Sequence, residues 1–246
     1  MRIDVFLTER GILPSRSRAK ELLQKGAVKV LGKTVTKPSY EVPDGLLASD
    51  IVIDDCENKY VGRGGYKLEH AINEFKLDVR DKIALDIGAS TGGFTDCLLK
   101  NGAKRVYAID SGTAQLHCSL LNDERVVSIE NYNARYLKKD DFEDKIDLVT
   151  IDVSFISQTL IIPKIAEILP TGASFISLIK PQFEVGREQI GKRGIVKDER
   201  ARDAAVKKVC DFAVNSGFEL VAITHSPIQG GDGNIEFLAH FKRSEL

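Results

Sequence analysis

This sequence predicts a Rossmann-like α/β domain of seven strands behind a small N-terminal α+β unit. Three observations carry that expectation. Beyond residue 66, short apolar runs alternate with stretches of helical periodicity, which implies a mostly parallel sheet covered on both faces. The last two runs are separated only by SPIQGGDG, too short for a helical crossover, so they form an antiparallel pair. Residues 1–57 read as a separate module with a charge of its own.

In the first module, RIDVFLTERGI places Ile3, Phe6, Leu7 and Ile12 at near-helical spacing. SRSRAKELLQKG then offers Ser15 or Ser17 as N-cap, Ala19, Leu22 and Leu23 as an apolar stripe, and Gly26 as a stop. AVKVLGKTV reads as two short strands around Leu31-Gly32, and IVID at 51–54 closes the unit. The Gly-rich segment 58–65 (NKYVGRGG) reads as a linker to a domain over 66–246. Strands are expected there at 82–87, 105–110, 125–130, 146–152, 173–180, 218–225 and 234–241. Helices are expected at 66–75, 92–100, 113–121, 155–168 and 198–216. Seven strands ending in an antiparallel pair fit the methyltransferase variant of the Rossmann-like fold better than the dehydrogenase one.

The chain has 246 residues, 43% hydrophobic and 29% charged, as expected of a soluble globular protein. No uninterrupted apolar run approaches the roughly 18 residues of a membrane span, so no membrane insertion is expected. The N-terminus lacks the apolar core of a secretory signal, which makes the cytoplasm the expected location. Cys56, Cys97, Cys118 and Cys210 form no CxxC pair, and the four histidines are scattered, so free thiols and no metal site are expected. A net charge of −1 hides an asymmetry: residues 1–37 hold nine basic and three acidic residues, leaving 26 basic and 33 acidic for the remainder. A basic unit on an acidic body suits docking to nucleic acid.

Strand 82–87 delivers Asp86 into the turn Gly88-Ala89-Ser90-Thr91-Gly92-Gly93, with a helix starting near Phe94. Such a turn lets backbone approach a nucleotide-like ligand, and the helix start supplies unpaired N–H groups. Asp110 ends the next strand, 22 residues after Gly88, where a carboxylate can accept from ribose hydroxyls. The spacing is not GxGxxG, which disfavours a nicotinamide cofactor. Asp86 near the loop, suited to a cationic amino-acid end, and the C-terminal hairpin favour S-adenosylmethionine. Asn133 in NYNAR is placed either to meet an adenine edge or to serve as a plain turn residue.

Three apolar runs are each ended or interrupted by an ionisable residue: Asp152 after LVTI in IDLVTI, Lys180 after SFISLI and Glu236 in GNIEFLAHF. A fourth, Lys67, sits in the first turn of GYKLEHAINEF, on the face shared with Ala71 and Phe75, where the helix dipole opposes a cation. A lysine held near a second lysine and partly desolvated can act as a base near neutral pH, with two carboxylates orienting the pair. Plainer roles stay open for each. Asp152 could cap a helix near Phe155, Glu236 could face outward, and Lys180 could lie on the surface.

Taken in this order and on these elements, Lys67, Asp152, Lys180 and Glu236 look like the K-D-K-E tetrad of ribose 2′-O-methyltransferases. SRSRAKELLQKGAVKVLGK resembles the S4 RNA-binding domain. RGGYKLEHA, DIGASTGGFTDCLL, IDVSFIS, LIKPQFE and GNIEFL behind it resemble the TlyA family over essentially the whole chain. The resemblance implies an FtsJ-like domain that methylates a ribose 2′-hydroxyl, a cytidine's by expectation, in ribosomal RNA within ribosomal subunits. It implies a cofactor pocket lined by Asp86, Gly88, Ala89, Ser90, Gly92, Gly93, Phe94, Asp110 and Asn133, with RNA contacts from Arg2, Arg16, Arg18, Lys20, Lys25 and Lys33. Members are also described as hemolysins, so a membrane-active protein is one alternative and a non-catalytic ribosome-assembly protein another. DVSF departs from the Asn/Asp-Pro-Pro-aromatic of amino-group methylation, and no Pro-Cys pair occurs there for attack on a ring carbon. The basic, Gly-rich stretch 186–197 reads either as a mobile loop contacting RNA phosphates or as a plain surface loop.

Overall fold

The computed structural model describes residues 1–13, 15–53 and 59–245. The chain divides into two compact units, Met1–Lys59 and Tyr60–Leu246.

In the first unit, helices α1 (Ile3–Glu9) and α2 (Arg16–Gln24) pack with a three-stranded antiparallel sheet. Its strands are β1 (Val28–Val30), β2 (Lys33–Val35) and β3 (Ile51–Ile53), in the order β2-β1-β3. Ser15 is the N-cap of α2, its side chain accepting from the Arg18 N–H. Ile3, Phe6, Leu7, Ala19, Leu22, Leu23, Val28 and Val30 form the core, as the periodicity predicts. Asp4 is buried beside them and bridges Arg2 and Arg16 at 2.9 and 3.0 Å.

The second unit runs α3 (Gly64–Glu74), β4 (Ile83–Ile87), α4 (Gly93–Lys100), β5 (Arg105–Ile109), α5 (Cys118–Leu121) and β6 (Val126–Ile129). It continues with β7 (Leu148–Ile151), α6 (Ile162–Ile168), β8 (Ser174–Ile179), α7 (Glu199–Asn215), β9 (Phe218–His225) and β10 (Phe237–Arg243). The seven strands lie in the order β6-β5-β4-β7-β8-β10-β9, and β10 runs antiparallel to both of its neighbours.

Strand alternation decides what each face receives. Even positions Ala84, Leu148, Ile176, Leu178 and Leu238 pack with Leu68 and Ala71 of α3 and with Leu98 of α4. Odd positions Leu85, Val149, Ile151, Phe175 and Phe241 pack with Ile162 and Ile165 of α6 and with Val209 of α7.

Several boundaries differ from expectation for local reasons. Part of the expected linker is folded into the second unit: Tyr60 is buried against Gly65, where a Cβ would clash with its ring, and α3 already begins at Gly64. Asn58 of that segment lies outside the described residues. The helix expected over 113–121 is confined to Cys118–Leu121, because Ala114 takes a positive φ of 52° and donates its N–H to Glu130. The helix expected from 155 starts at Ile162, with Pro163 in its first turn, because Phe155 has a φ of 64° and cannot be helical.

Candidate active site

Asp152 and Lys180 lie one step beyond the ends of β7 and β8, and Glu236 lies one step before β10. All three continue the even-numbered rows and therefore point to the α3 side of one sheet edge. Pairing of Phe237 with Ile179 sets Glu236 beside Lys180 along that edge. α3 brings Lys67 to the same side.

The four charges form two pairs. Lys67 Nζ donates to Glu236 Oε2 at 2.5 Å, with the two residues only 7% and 2% exposed. Lys180 Nζ lies 2.5 Å from Asp152 Oδ1, with side chains 12% and 20% exposed, and donates to Ser154 Oγ at 3.0 Å. The first turn of α3 approaches the second pair, since a Cβ built on Gly64 would lie 3.9 Å from Asp152 Oδ2. Sequence reasoning groups the two lysines with carboxylates around them; the structure assigns each lysine its own carboxylate. Glu236 is buried and does not face outward.

Next to these pairs is a cleft lined by Ala89, Ser90, Asp110, Gly112, Leu116 and Ile129. Ser90 N–H donates to Asp110 Oδ2 at 2.8 Å and Gly112 N–H donates to Oδ1 at 2.7 Å. The carboxylate is thus fixed in orientation while each oxygen keeps a lone pair for a ligand hydroxyl. Apolar residues on either side of a carboxylate oriented by two backbone N–H groups, with further polar lining from Gln115 and Ser128, fit an adenosine group.

The glycine loop earns its composition differently from the sequence argument. Gly88 has a φ of 85°, and a Cβ there would lie 2.3 Å from the Asp152 carbonyl oxygen. Gly92 has a φ of 95°, and its Cβ would strike Leu120 at 2.2 Å. Both glycines are required by packing as well as by turn geometry. Gly93 heads α4, while Ala89 and Phe94 are buried. Asp86 is fully enclosed, accepting from Thr95 Oγ1 at 2.7 Å and Thr150 Oγ1 at 3.0 Å. Burial pushes its carboxyl up to about 7, with the nearby Asp152 charge adding to the shift. Asn133 is exposed and its Oδ1 accepts from the Arg135 N–H at 3.1 Å, capping a short turn.

Sequence reasoning missed several residues. Glu130, at the end of β6, lines the cleft and accepts from the Ala114 N–H at 2.9 Å; an acid closing a third parallel strand was the available signal. Phe155 is 92% exposed in a left-handed conformation, with its ring centroid 5.1 Å from that of Phe183, whose ring also stands 6.0 Å from Lys180 Nζ. An apolar ring held in water at a strained residue is a ready stacking surface. Only the run DVSF, where a helix start was expected, pointed to it.

The stretch 186–197 contains two short turns and is fastened at its far end by buried Asn234, which accepts from the Val196 N–H and donates to the Gly194 carbonyl. In the first unit, Arg2 and Arg16 pair with Asp4, and Arg18 and Lys25 pair with Glu21, whereas Lys20 and Lys33 stand exposed. Among the described residues no group of three or more His, Cys, Asp or Glu could hold a metal ion, and no helix is long and apolar enough to cross a membrane.

Comparison with known proteins gives two family matches: FtsJ-like methyltransferase over residues 60–243 and the S4 domain over residues 1–47. Hemolysin A of Brachyspira hyodysenteriae is 46% identical over 242 residues, covering 98% of this chain and 99% of that protein. The 16S/23S rRNA (cytidine-2′-O)-methyltransferase TlyA of Mycobacterium tuberculosis is 40% identical over 236 residues, covering 96% of this chain and 87% of that one. A solved structure of a candidate hemolysin from Streptococcus thermophilus has a TM-score of 0.76 at 46% identity, covering 100% of this chain and 89% of that chain.

Proposed function

This chain belongs to the FtsJ-like methyltransferase family and carries an S4 domain; from that premise we propose that it methylates a ribose 2′-hydroxyl of ribosomal RNA, with S-adenosylmethionine as donor. The target is a cytidine within ribosomal subunits, and the cytoplasm is where the protein works. The observation that carries this reading is the pair of lysine–carboxylate contacts on one sheet edge beside a cleft with an oriented carboxylate.

Asp110 would accept from the ribose hydroxyls of the donor, and Ala89, Leu116 and Ile129 would flank its base. When bound, S-adenosylmethionine supplies a methyl group already activated by its sulfonium. Lys180 Nζ takes the proton of the target 2′-hydroxyl as that oxygen forms its bond to the methyl and the methyl–sulfur bond breaks, the sulfur leaving as a neutral thioether. Asp152 and Ser154 hold the amine in place, and Asp152 stabilises the ammonium that results. Lys67, fixed by Glu236, holds the target ribose. Phe155 stacks on the base of a nucleotide turned out of its helix, as readers of unpaired RNA do. Positioning supplies much of the rate, since the methyl needs little further activation.

The test is transfer of labelled methyl to ribosomal subunits purified from a strain lacking the protein, with the product digested to nucleosides. Wild type is expected to yield a labelled 2′-O-methylcytidine that Lys180→Ala does not. Label on a ring atom, or none at all, sinks the reading. Liposome leakage caused by the purified protein would favour the membrane-active alternative that the hemolysin relative suggests.

A further inference from the structure

Between the ends of β7 and α6 the chain makes a short loop that carries Ser154 and Phe155. Its far end is tied to the segment that follows Lys180. Buried Glu184 accepts from Ser157 Oγ at 2.6 Å through Oε2 and from the Gln158 N–H at 2.8 Å through Oε1. Gln158, also buried, donates through Nε2 to the Leu178 carbonyl at 2.6 Å and accepts from Ser177 Oγ at 2.5 Å. From α7, Lys208 donates to the Glu184 carbonyl at 2.8 Å, with its Nζ 3.6 Å from Oε2. The near end of the loop is held where Asp152 N–H donates to the Ile87 carbonyl at 2.9 Å.

The strain in the loop needs such a clamp. Phe155 occupies a left-handed φ with its ring in water, a state that lasts only if the flanking residues are held firmly. A buried carboxylate on two donors, with a cation close to one oxygen, is a stiff way to hold one flank.

We propose that Glu184 is a positioning residue for the reaction: by pinning Ser157 and Gln158 to the segment behind Lys180, it sets the Ser154–Lys180 contact and presents Phe155. Glu184 touches none of the four paired charges directly, so it acts through the loop. The inference rests on the methyl-transfer reading above, and its test keeps the two apart.

Full-length Glu184→Ala, Glu184→Gln, Ser154→Ala and the double variant Glu184→Ala/Ser154→Ala are assayed on the same subunits. Binding of S-adenosylmethionine and hydrogen exchange of the 153–158 peptide are measured alongside. Glu184→Ala is expected to lower kcat by roughly 100-fold, the scale of a misplaced reacting group. Cofactor affinity should stay within about twofold, since Asp110 is untouched, whereas the KM for subunits should rise in the same sense as in Phe155→Ala. Exchange over 153–158 should quicken while that of β4 and β7 stays slow. Glu184→Gln keeps the shape and two hydrogen-bonding atoms, so it should recover most of the rate. The double variant should be no slower than the slower single variant, because both changes break one unit.

Losses that multiply in the double variant would overturn the proposal, as would unaltered kcat or unaltered exchange in Glu184→Ala. If Glu184→Ala does not fold, Lys208→Ala replaces it, with the same faster exchange and a smaller drop in kcat expected; no change in either would likewise overturn the proposal. A wild type without transfer activity refutes the functional reading instead, while the exchange measurement still reports on the clamp.

Discussion

The two lysine–carboxylate pairs share one geometry and differ in surroundings. Both have a nitrogen 2.5 Å from an oxygen, and both sit on the same edge of the sheet. Lys67–Glu236 is the more buried pair, with side chains 9% and 2% exposed against 12% and 20% for Lys180–Asp152, whose lysine also donates to Ser154. An ion pair sealed from water is strong evidence of organisation and weak evidence of net stabilisation, since desolvation offsets much of the attraction. An ion pair at a rim can be opened by a substrate. Under the proposed mechanism equal distances conceal unequal tasks: one pair holds the target ribose and the other takes its proton.

The sharpest way to break that contrast is to delete each lysine. Lys180→Ala should cost about 10²- to 10⁴-fold in kcat, the range of a lost general base, while its unfolding midpoint in urea stays close to wild type. Lys67→Ala should also abolish transfer, and in addition lower stability by about 3–5 kcal/mol, because Glu236 is left buried without a partner. Lys67→Met combined with Glu236→Leu should regain most of that stability in the same denaturation experiment, and none of the activity. If Lys180→Ala proved the less stable of the two single variants, the division of labour would be reversed.

Asp86 extends the comparison to a buried carboxylate that accepts from two threonine hydroxyls and, among the described residues, faces no cationic partner in an ion pair. Its carboxyl holds a proton up to about 7 in the folded chain, against an ordinary value of 3.8. Between those values the folded state binds a proton that the unfolded state has released, so stability falls as pH rises through the window and levels off above about 7. Asp86→Asn lacks that slope. Relative to wild type it should gain on the order of a few kcal/mol from acid to neutral pH, read from urea unfolding at several pH values. Parallel stability curves for the two proteins would show that the proton is not held.

Phe155 gives the smallest and most selective effect. Phe155→Ala should lower kcat/KM for subunits by about 1–3 kcal/mol, the worth of one stacked base, and leave binding of S-adenosylmethionine unchanged. Phe155→Gly should lose the same activity and yet match or exceed wild-type stability by up to about 1 kcal/mol, because glycine relieves the positive φ. A thermal melt and a turnover assay on the same preparation check both halves.

Much of this was legible in the sequence because periodicity survives packing. The strand–helix alternation, the antiparallel final pair and the apolar faces of α1 and α2 all stand where their patterns place them. Asp152, Lys180 and Glu236 could be singled out because each interrupts or ends an apolar run. Their partnership could not, since it follows from the register of Phe237 with Ile179 and from where α3 lies on the sheet. The linker was misread because glycines at 64 and 65 suggested flexibility, when Gly65 serves close packing against Tyr60. Gly88 and Gly92 were attributed to ligand approach, and the neighbours that exclude their side chains, Asp152 and Leu120, are remote in sequence. Phe155 was taken for the start of a helix, because the left-handed turn that exposes it is imposed by contacts on either side of the loop.

The insertion of β10 between β8 and β9 has a consequence for biosynthesis. Lys67 enters near the start of the second unit, and its partner Glu236 arrives 169 residues later. A chain emerging from the ribosome can pair β4, β5, β6 and β7 and shape the Asp110 cleft well before residue 236 is made. Throughout that interval α3 must keep its lysine hydrated or leave its seat on the sheet unfilled. The growing chain can therefore form the Asp110 cleft early, but the sheet edge that carries the two lysine–carboxylate pairs closes only after β9 is complete and the following strand slides in beside β8. Translation itself thus delays the proposed chemistry until the domain is nearly whole.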